Sequence, residues 1–498
     1  MKKYSFMMAA AALLAVVGCE KSPVDNGTDV DGKTYMQFSV KMLSTKSATD
    51  DTGNSNSNAT PDTEVGLDKE NTISTVDIAL VKGDQYFVSR NVTPAAASKD
   101  TYVASFNTLD LVAGAKYQVY IYANCSAPAS FNVDEVSSAT VASMTADNKF
   151  WMTNYQAAAE VTLPSDLGPY TTPQTPLNLG SHLVERSMAR FDYKPASAFD
   201  MGAGLTLTLT EAALINQSKN HYMFRRVAAT VDGTPVVGGE ETPINWVVDT
   251  DWASKTKAGF DAQLEAPGTW NWTSLASLGT NDNYDGDYKI WCYAKENTIP
   301  GVNEQKHNVS TGVVFKAELA AGESASAAVK AAMAAGKRIY VFNNVLYGAW
   351  SDVKTAATAE GAEATLAAAY NQAIVDMDAA ATDPVSAKAA AAGFTGYSAK
   401  DGKYYVYYYY WNRHNDNGKN DTMGIMEFAV VRNNVYKLAV NKISRFGHPT
   451  PPTGPTDPNP DPDPDPVDPN DPDESLNYYF TVSVKVLPWT VRINNIEF

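Results

Sequence analysis

The chain has 498 residues, a formal net charge of −17 and a pI near 4.8. Such an acidic surface repels a phosphate backbone, which excludes nucleic acid as a partner, and three cysteines in this length exclude a disulfide-stapled scaffold. With 44% hydrophobic residues and 27 tyrosines, the chain can bury the cores of two or three domains.

Lys2 and Lys3 precede an apolar run from Phe6 to Val17, which ends in Val16-Val17-Gly18-Cys19. A basic start, a short apolar stretch and a small residue before the cut predict an export signal over 1–19. The run is too short to span a bilayer. Its ending resembles a bacterial lipobox, which implies a lipid on Cys19; the alternative is an ordinary secretory signal with a chance cysteine. Residues 34–43 then alternate, with Met36, Phe38, Val40 and Met42 on one face, the period of a half-buried strand. The polar run from Ser44 to Asp62 predicts an exposed loop, the kind of segment proteases cut, and Lys46 lies at its start.

Strand-like runs recur at 73–81, 85–92, 101–107, 116–123, 159–163, 181–192 and 204–210. A second set covers 227–236, 287–294, 310–318, 338–347, 403–411 and 424–443. Short strands separated by turn signals predict β-sandwiches. The Ala-rich stretches near 321–335 and 355–392 predict one or two surface helices on the second domain. Tyr117–Asn124 weakly echoes Tyr288–Lys295, which suggests two sandwiches of similar topology joined near 222–230. Cys125 and Cys292 either pair or stay as buried thiols; their places in different domains favour the thiols.

From 449 to about 475 the chain is a Pro/Asp tether, extended at ~3.1 Å per residue and held open by its own charge. Beyond it, Phe480, Val482, Val484 and Val486 share one face of a strand. At Pro488 the phase flips, and Trp489, Val491 and Ile493 become the apolar set. Two short strands cannot bury their own apolar face, so the tail must join another sheet.

The sequence carries no constellation of residues for chemistry. His182, His221, His307, His414 and His448 show no i, i+4 pairing. The acidic stretch 281–287 lacks the closing glutamate of a calcium loop, since Cys292 stands there. No nucleotide loop, nucleophile elbow or spaced acid/base pair is present, so neither enzyme activity nor a cofactor or metal is expected.

Several blocks resemble one family, the lipoprotein-exported fimbrillins of type V pili, and most closely the Mfa-like shaft subunits of minor fimbriae. These are 410–417 with 423–438 and 443–449, together with 184–190, 293–298, 311–317 and 484–489. The resemblance implies a mainly β fold of two tandem β-sandwich (transthyretin-like) domains, 47–225 and 226–448. These lie between a propeptide, 20–46, and a linker, 449–476, that leads to a donor-strand tail, 477–498. It implies that a trypsin-like protease cuts after Lys46, with Lys41 as runner-up, and so removes the first strand. The groove left behind then accepts the tail of another copy. The partners implied are further copies in a head-to-tail polymer, minor tip and anchor pilins, and the outer membrane through the lipid before processing. The place implied is a cell-surface fimbria that supports adhesion. Before assembly the first strand should fill the groove and the tail should extend away from the body. The alternatives are a tip or anchor subunit, or a monomeric surface lipoprotein with Trp350 or Trp411 as a ligand platform.

Overall fold

A computed structural model describes residues 33–42, 66–98, 101–108, 110–229, 233–239, 245–250, 252, 271–278, 287–299, 305, 309–415, 424–451 and 480–488. The fold is mainly β. Among the described residues the first region is a nine-stranded sheet. Its order is Gln85–Val92, Val76–Lys82, Lys116–Ala123, Met152–Asn154, Leu177–Arg186, Thr34–Met42, Thr101–Thr108 and Ala95–Ser98, with Ala159–Thr162 also paired to Lys116–Ala123. The sheet curls on itself: the Ser89 hydroxyl donates to the Asn107 carbonyl at 2.9 Å, across from the far end of the strand order. Curling lets residues from distant strands, among them Ile78, Val119, Met152, Val184 and Phe106, share one apolar core. That burial drives the closure.

The second region is a pair of facing sheets. One is Lys289–Ala294, Ala189–Lys194, Asn434–Ile443 and Phe480–Pro488; the other is Phe199–Gly202, Leu205–Ile215, Gly312–Ala321 and Tyr404–Trp411, with Thr273–Ser274 on Leu205–Ile215. Phe191, Tyr436 and Leu438 of the first sheet share a core with Leu207, Phe315 and Tyr408 of the second.

The chain passes from the first region to the second at Ser187 and Met188, between consecutive strands. Strands 189–194 and 205–215 therefore pair within the second region, ahead of the 222–230 joint that the sequence suggested. The echoed segments are also placed differently. Lys116–Ala123 is interior to its sheet, whereas Lys289–Ala294 is at an edge.

An insertion separates Gly312–Ala321 from Tyr404–Trp411, although these strands pair directly. It carries the helices Ala327–Ala334, Trp350–Thr358, Ala364–Ala373 and Ser386–Ala391, more than the one or two expected. Alanine favours helix but offers little to bury. The insertion therefore relies on a small aromatic core of Tyr340, Trp350, Tyr370 and Phe394.

Candidate functional site

Thr34–Met42 lies between two partners. It runs antiparallel to Thr101–Thr108, from Thr34 opposite Thr108 to Lys41 opposite Thr101. On its other edge it runs parallel to Leu177–Arg186, with Met36 opposite Leu177 and Met42 opposite Val184. Both backbone edges are engaged. The alternation read in the sequence sets the rest: Met36, Phe38 and Val40 are 0% exposed in the first core, Gln37 and Ser39 are half-buried, and Lys41 is exposed. The Phe38 ring meets Phe106 and His182 edge-on, each with ring centroids 5.8 Å away. Burying three such side chains is worth about 5–9 kcal/mol. Removing the strand would uncover two rows of backbone donors and acceptors and three apolar sockets.

The parallel wall carries a bulge. Between the pairs Gln37–Asn178 and Ser39–Ser181, the wall holds one residue more than the first strand. Gly180 absorbs it at φ +92°, a conformation costly for any residue with a β-carbon, and its N–H donates to Asn178 Oδ1 at 2.9 Å. His182 follows. Burial holds its pKa below the ordinary histidine value, so the ring is neutral at pH 7, with Nε2 3.2 Å from the Leu179 carbonyl.

The tail strand Phe480–Pro488 runs antiparallel to Asn434–Ile443 at the edge of its sheet. Phe480 is opposite Ile443, Val482 opposite Val440, Val484 opposite Leu438 and Val486 opposite Tyr436. All four partners belong to the second core. This corrects the expectation that the tail stands away from the body. Asn434–Ile443 would otherwise be an open apolar edge, and a tethered strand of the same chain reaches it at a higher effective concentration than another copy does.

Cys19, Lys46, Trp489, Val491 and Ile493 lie outside the described residues, as do most of 281–287. Met42 ends the first strand, and Lys41 is paired on both sides within it. A protease cannot draw Lys41 into its cleft until the strand leaves.

Sequence reasoning missed a buried polar cluster between the two regions. Glu70, 0% exposed, accepts from Arg190 Nη1 at 2.9 Å, from the Tyr293 hydroxyl at 2.6 Å and from the Leu67 N–H at 2.7 Å. Arg190 Nε also donates to Asp192 at 2.9 Å. Arg186 Nε donates to the Glu70 carbonyl at 3.2 Å, and its guanidinium reaches the Asn71 and Asn433 side chains. The partners stand up to 247 residues apart, so no local pattern marks them.

The remaining candidates are structural. Cys125 and Cys292 are free thiols whose pKa values are pushed up by burial. His414 Nδ1 is 2.9 Å from the Tyr436 hydroxyl. Trp350 is 2% exposed within the insertion core, which removes it as a ligand platform, and the half-buried Trp411 ring lies where a β-carbon on Gly312 would stand. Among the described residues, no group of three or more His, Cys, Asp or Glu could hold a metal.

No curated protein matches the sequence. Several solved structures are similar at low identity. A fimbrilin (FimA) of Porphyromonas gingivalis W83 is 14% identical, covering 93% of this chain and 99% of its own, with a TM-score of 0.38. A cell-adhesion candidate of Parabacteroides distasonis ATCC 8503 is 12% identical over 92% and 100% of the two chains, with a TM-score of 0.41. The tip fimbrial protein Mfa3 of Porphyromonas gingivalis, with a C-terminal truncation, is 8% identical over 92% and 100%, with a TM-score of 0.36. Residues 402–495 match the family described as "Major fimbrial subunit protein type IV, Fimbrillin, C-terminal". That span holds the strands Tyr404–Trp411 and Asn434–Ile443, the Pro/Asp run and the tail strand, so the tail is part of the matched unit rather than an appendage. The chain is therefore similar to the fimbrillins, through a C-terminal region that carries both the tail and the strand the tail pairs with.

Proposed function

We propose that this chain is a non-enzymatic structural subunit of a bacterial surface fimbria, and that it polymerises by exchange of strands. Residues 1–19 export it, and a lipid on Cys19 holds the precursor at the outer membrane. A trypsin-like cut at Lys46 releases the segment that includes Thr34–Met42; at the runner-up, Lys41, it would release the strand only up to Lys41 and only after the strand has loosened. The vacated slot accepts the tail of the next copy, 477–498. The apolar set Phe480, Val482, Val484 and Val486, or Trp489, Val491 and Ile493 beyond Pro488, replaces Met36, Phe38 and Val40. Each subunit then offers one slot and one tail, a head-to-tail contact that extends without closing.

The observation that carries this reading is the first strand: it is seated between two partners with Met36, Phe38 and Val40 fully buried, and a polar run with a lysine follows it directly. A slot of that depth is worth filling, and a tethered strand with the same alternation can fill it.

One observation favours a second reading, a monomeric surface lipoprotein. Phe480–Pro488 pairs with its own chain. Unboiled detergent gels of surface material separate the two, comparing the full chain with one lacking 477–498. A ladder of multimers that disappears on truncation, with monomer still exported, supports the fimbrial subunit. Monomer in both lanes means that the tail serves its own chain alone.

A further inference from the structure

Between Lys46 and Lys69 the chain has no lysine or arginine. For an enzyme that cuts after basic residues, Lys69 is therefore the next point downstream of the processing site. We infer that the Glu70 cluster is a proteolytic stop, which keeps the Lys69–Glu70 bond closed while the segment before it is removed. This inference rests on the trypsin-like processing proposed above.

The geometry around that one peptide bond is specific. Its carbonyl, on Lys69, accepts the Asn148 N–H at 2.8 Å. Its amide, on Glu70, donates to the Leu67 carbonyl at 2.8 Å. Both sides of the bond are thus engaged inside the short helix Asp68–Asn71, whereas a protease needs the chain unwound into its cleft. The turn is fixed from within. The Glu70 carboxylate bonds the Leu67 N–H, Arg190 and Tyr293, and the Asn71 side-chain amide donates to the Gly66 carbonyl at 2.6 Å. Arg190 is 1% exposed, so opening the turn would take the Glu70 carboxylate from a guanidinium held in the core. The Lys69 side chain, by contrast, is 44% exposed, and its pairing with Asp147 at 3.2 Å is at the surface. The residue that a protease would recognise is in reach; the bond it would cut is not.

The consequence for processing is definite. A cut at Lys69 would detach Gly66–Lys69 from the body and take away the Leu67 N–H and the Gly66 carbonyl that hold the Glu70 carboxylate and the Asn71 amide in place. A cut upstream leaves Gly66–Asn71 nailed between the two regions, and the trimmed body keeps its joint.

The test is limited trypsin digestion of the purified full chain, read by mass spectrometry as rates of individual cuts. In the wild type the expected pattern is loss of residues up to Lys46 with the Lys69–Glu70 bond intact. Tyr293→Phe and Glu70→Gln should each raise cleavage at Lys69 at least about tenfold, because the loss of one charge-assisted hydrogen bond raises the open population by that factor or more. Cuts at the buried Arg190 and Arg432 report global unfolding, and they should stay absent in Tyr293→Phe. If Glu70→Gln does show those cuts, Tyr293→Phe alone decides. Wild-type cleavage at Lys69 as fast as that at Lys46 overturns the stop, and so does unchanged protection in Tyr293→Phe. Unboiled gels of the same digests read assembly separately. Trimmed monomers with Lys69 protected would keep the stop and overturn the polymer.

Discussion

The two strands at the ends of this chain carry the same pattern and hold opposite positions. Thr34–Met42 and Phe480–Pro488 each have nine residues, and each alternates apolar with polar. The first is interior to its sheet, with hydrogen-bonded partners on both edges; the second, among the described residues, is at an edge, with one. Alternation fixes which face is buried, but it does not fix how many neighbours a strand has. The strand at the start of the chain is thus hard to lose without a cut. The strand at the end can leave by breaking a single ladder.

Core substitutions should expose that difference most. Phe38→Ala should destabilise the first region by about 3–5 kcal/mol, since it empties a fully buried site between Phe106 and His182. Val484→Ala in the tail should cost about 1 kcal/mol or less, the scale of one methyl-bearing contact on an edge strand. Denaturant titration with hydrogen exchange as the readout gives both values, and equal costs would break the comparison.

Exchange rates come next. Amides of Phe38 and Val40 should exchange at least about 100-fold more slowly than those of Val482 and Val484, because an edge strand opens locally while a central one waits for a larger opening. Tail amides as protected as those of the first strand would mean the cis pairing does not open readily, which favours the monomeric reading.

A smaller effect is expected at the bulge. Gly180→Ala places a β-carbon at φ +92° beside the first strand and should cost about 1–2 kcal/mol, seen as a lower melting temperature with the second region unchanged.

Acid should act in the same place and direction. The folded pKa of His182 lies below its ordinary value because of burial, so the folded state binds the proton less readily than the unfolded one. Its share of stability is complete above the ordinary value of 6.5 and declines as the pH falls from there toward the folded value. His221, held down to about 3 mainly by burial and then by Arg432 and Lys295, adds a decline of the same sign. Melting curves from pH 7.5 to 5 should fall, and His182→Gln should flatten the part that tracks hydrogen exchange at Phe38. A profile unmoved by His182→Gln removes the histidine from the account.

Both end strands were legible because each states its period in its own residues. Met36, Phe38 and Val40 announced a buried face, and all three are fully buried. The sequence could not say where the tail pairs, because Asn434–Ile443 is one of several strands that could present an apolar edge. Met152–Asn154 was missed because three residues are too few to show a period, and the 187–188 passage was missed because no glycine or proline interrupts 181–192. The Glu70 cluster was invisible for a different reason. A single glutamate in a polar stretch looks like surface until the fold brings Arg190 and Tyr293 to it.

The two-residue passage at Ser187 and Met188 has a mechanical meaning. Leu177–Arg186 forms one wall of the first-strand slot, and Ala189–Lys194 lies parallel to Asn434–Ile443, which holds the tail strand. In a fibre joined through slot and tail, tension from a donated tail would reach Asn434–Ile443 along the covalent chain and cross from there to Ala189–Lys194. It would go straight on, through two covalently linked residues, into the slot wall that grips the next subunit. The ladders on that route run side by side along the strands, so a pull along them shears many hydrogen bonds at once instead of unzipping them singly. The insertion, with its alanine helices and small core, stands off that line and would carry little of the load.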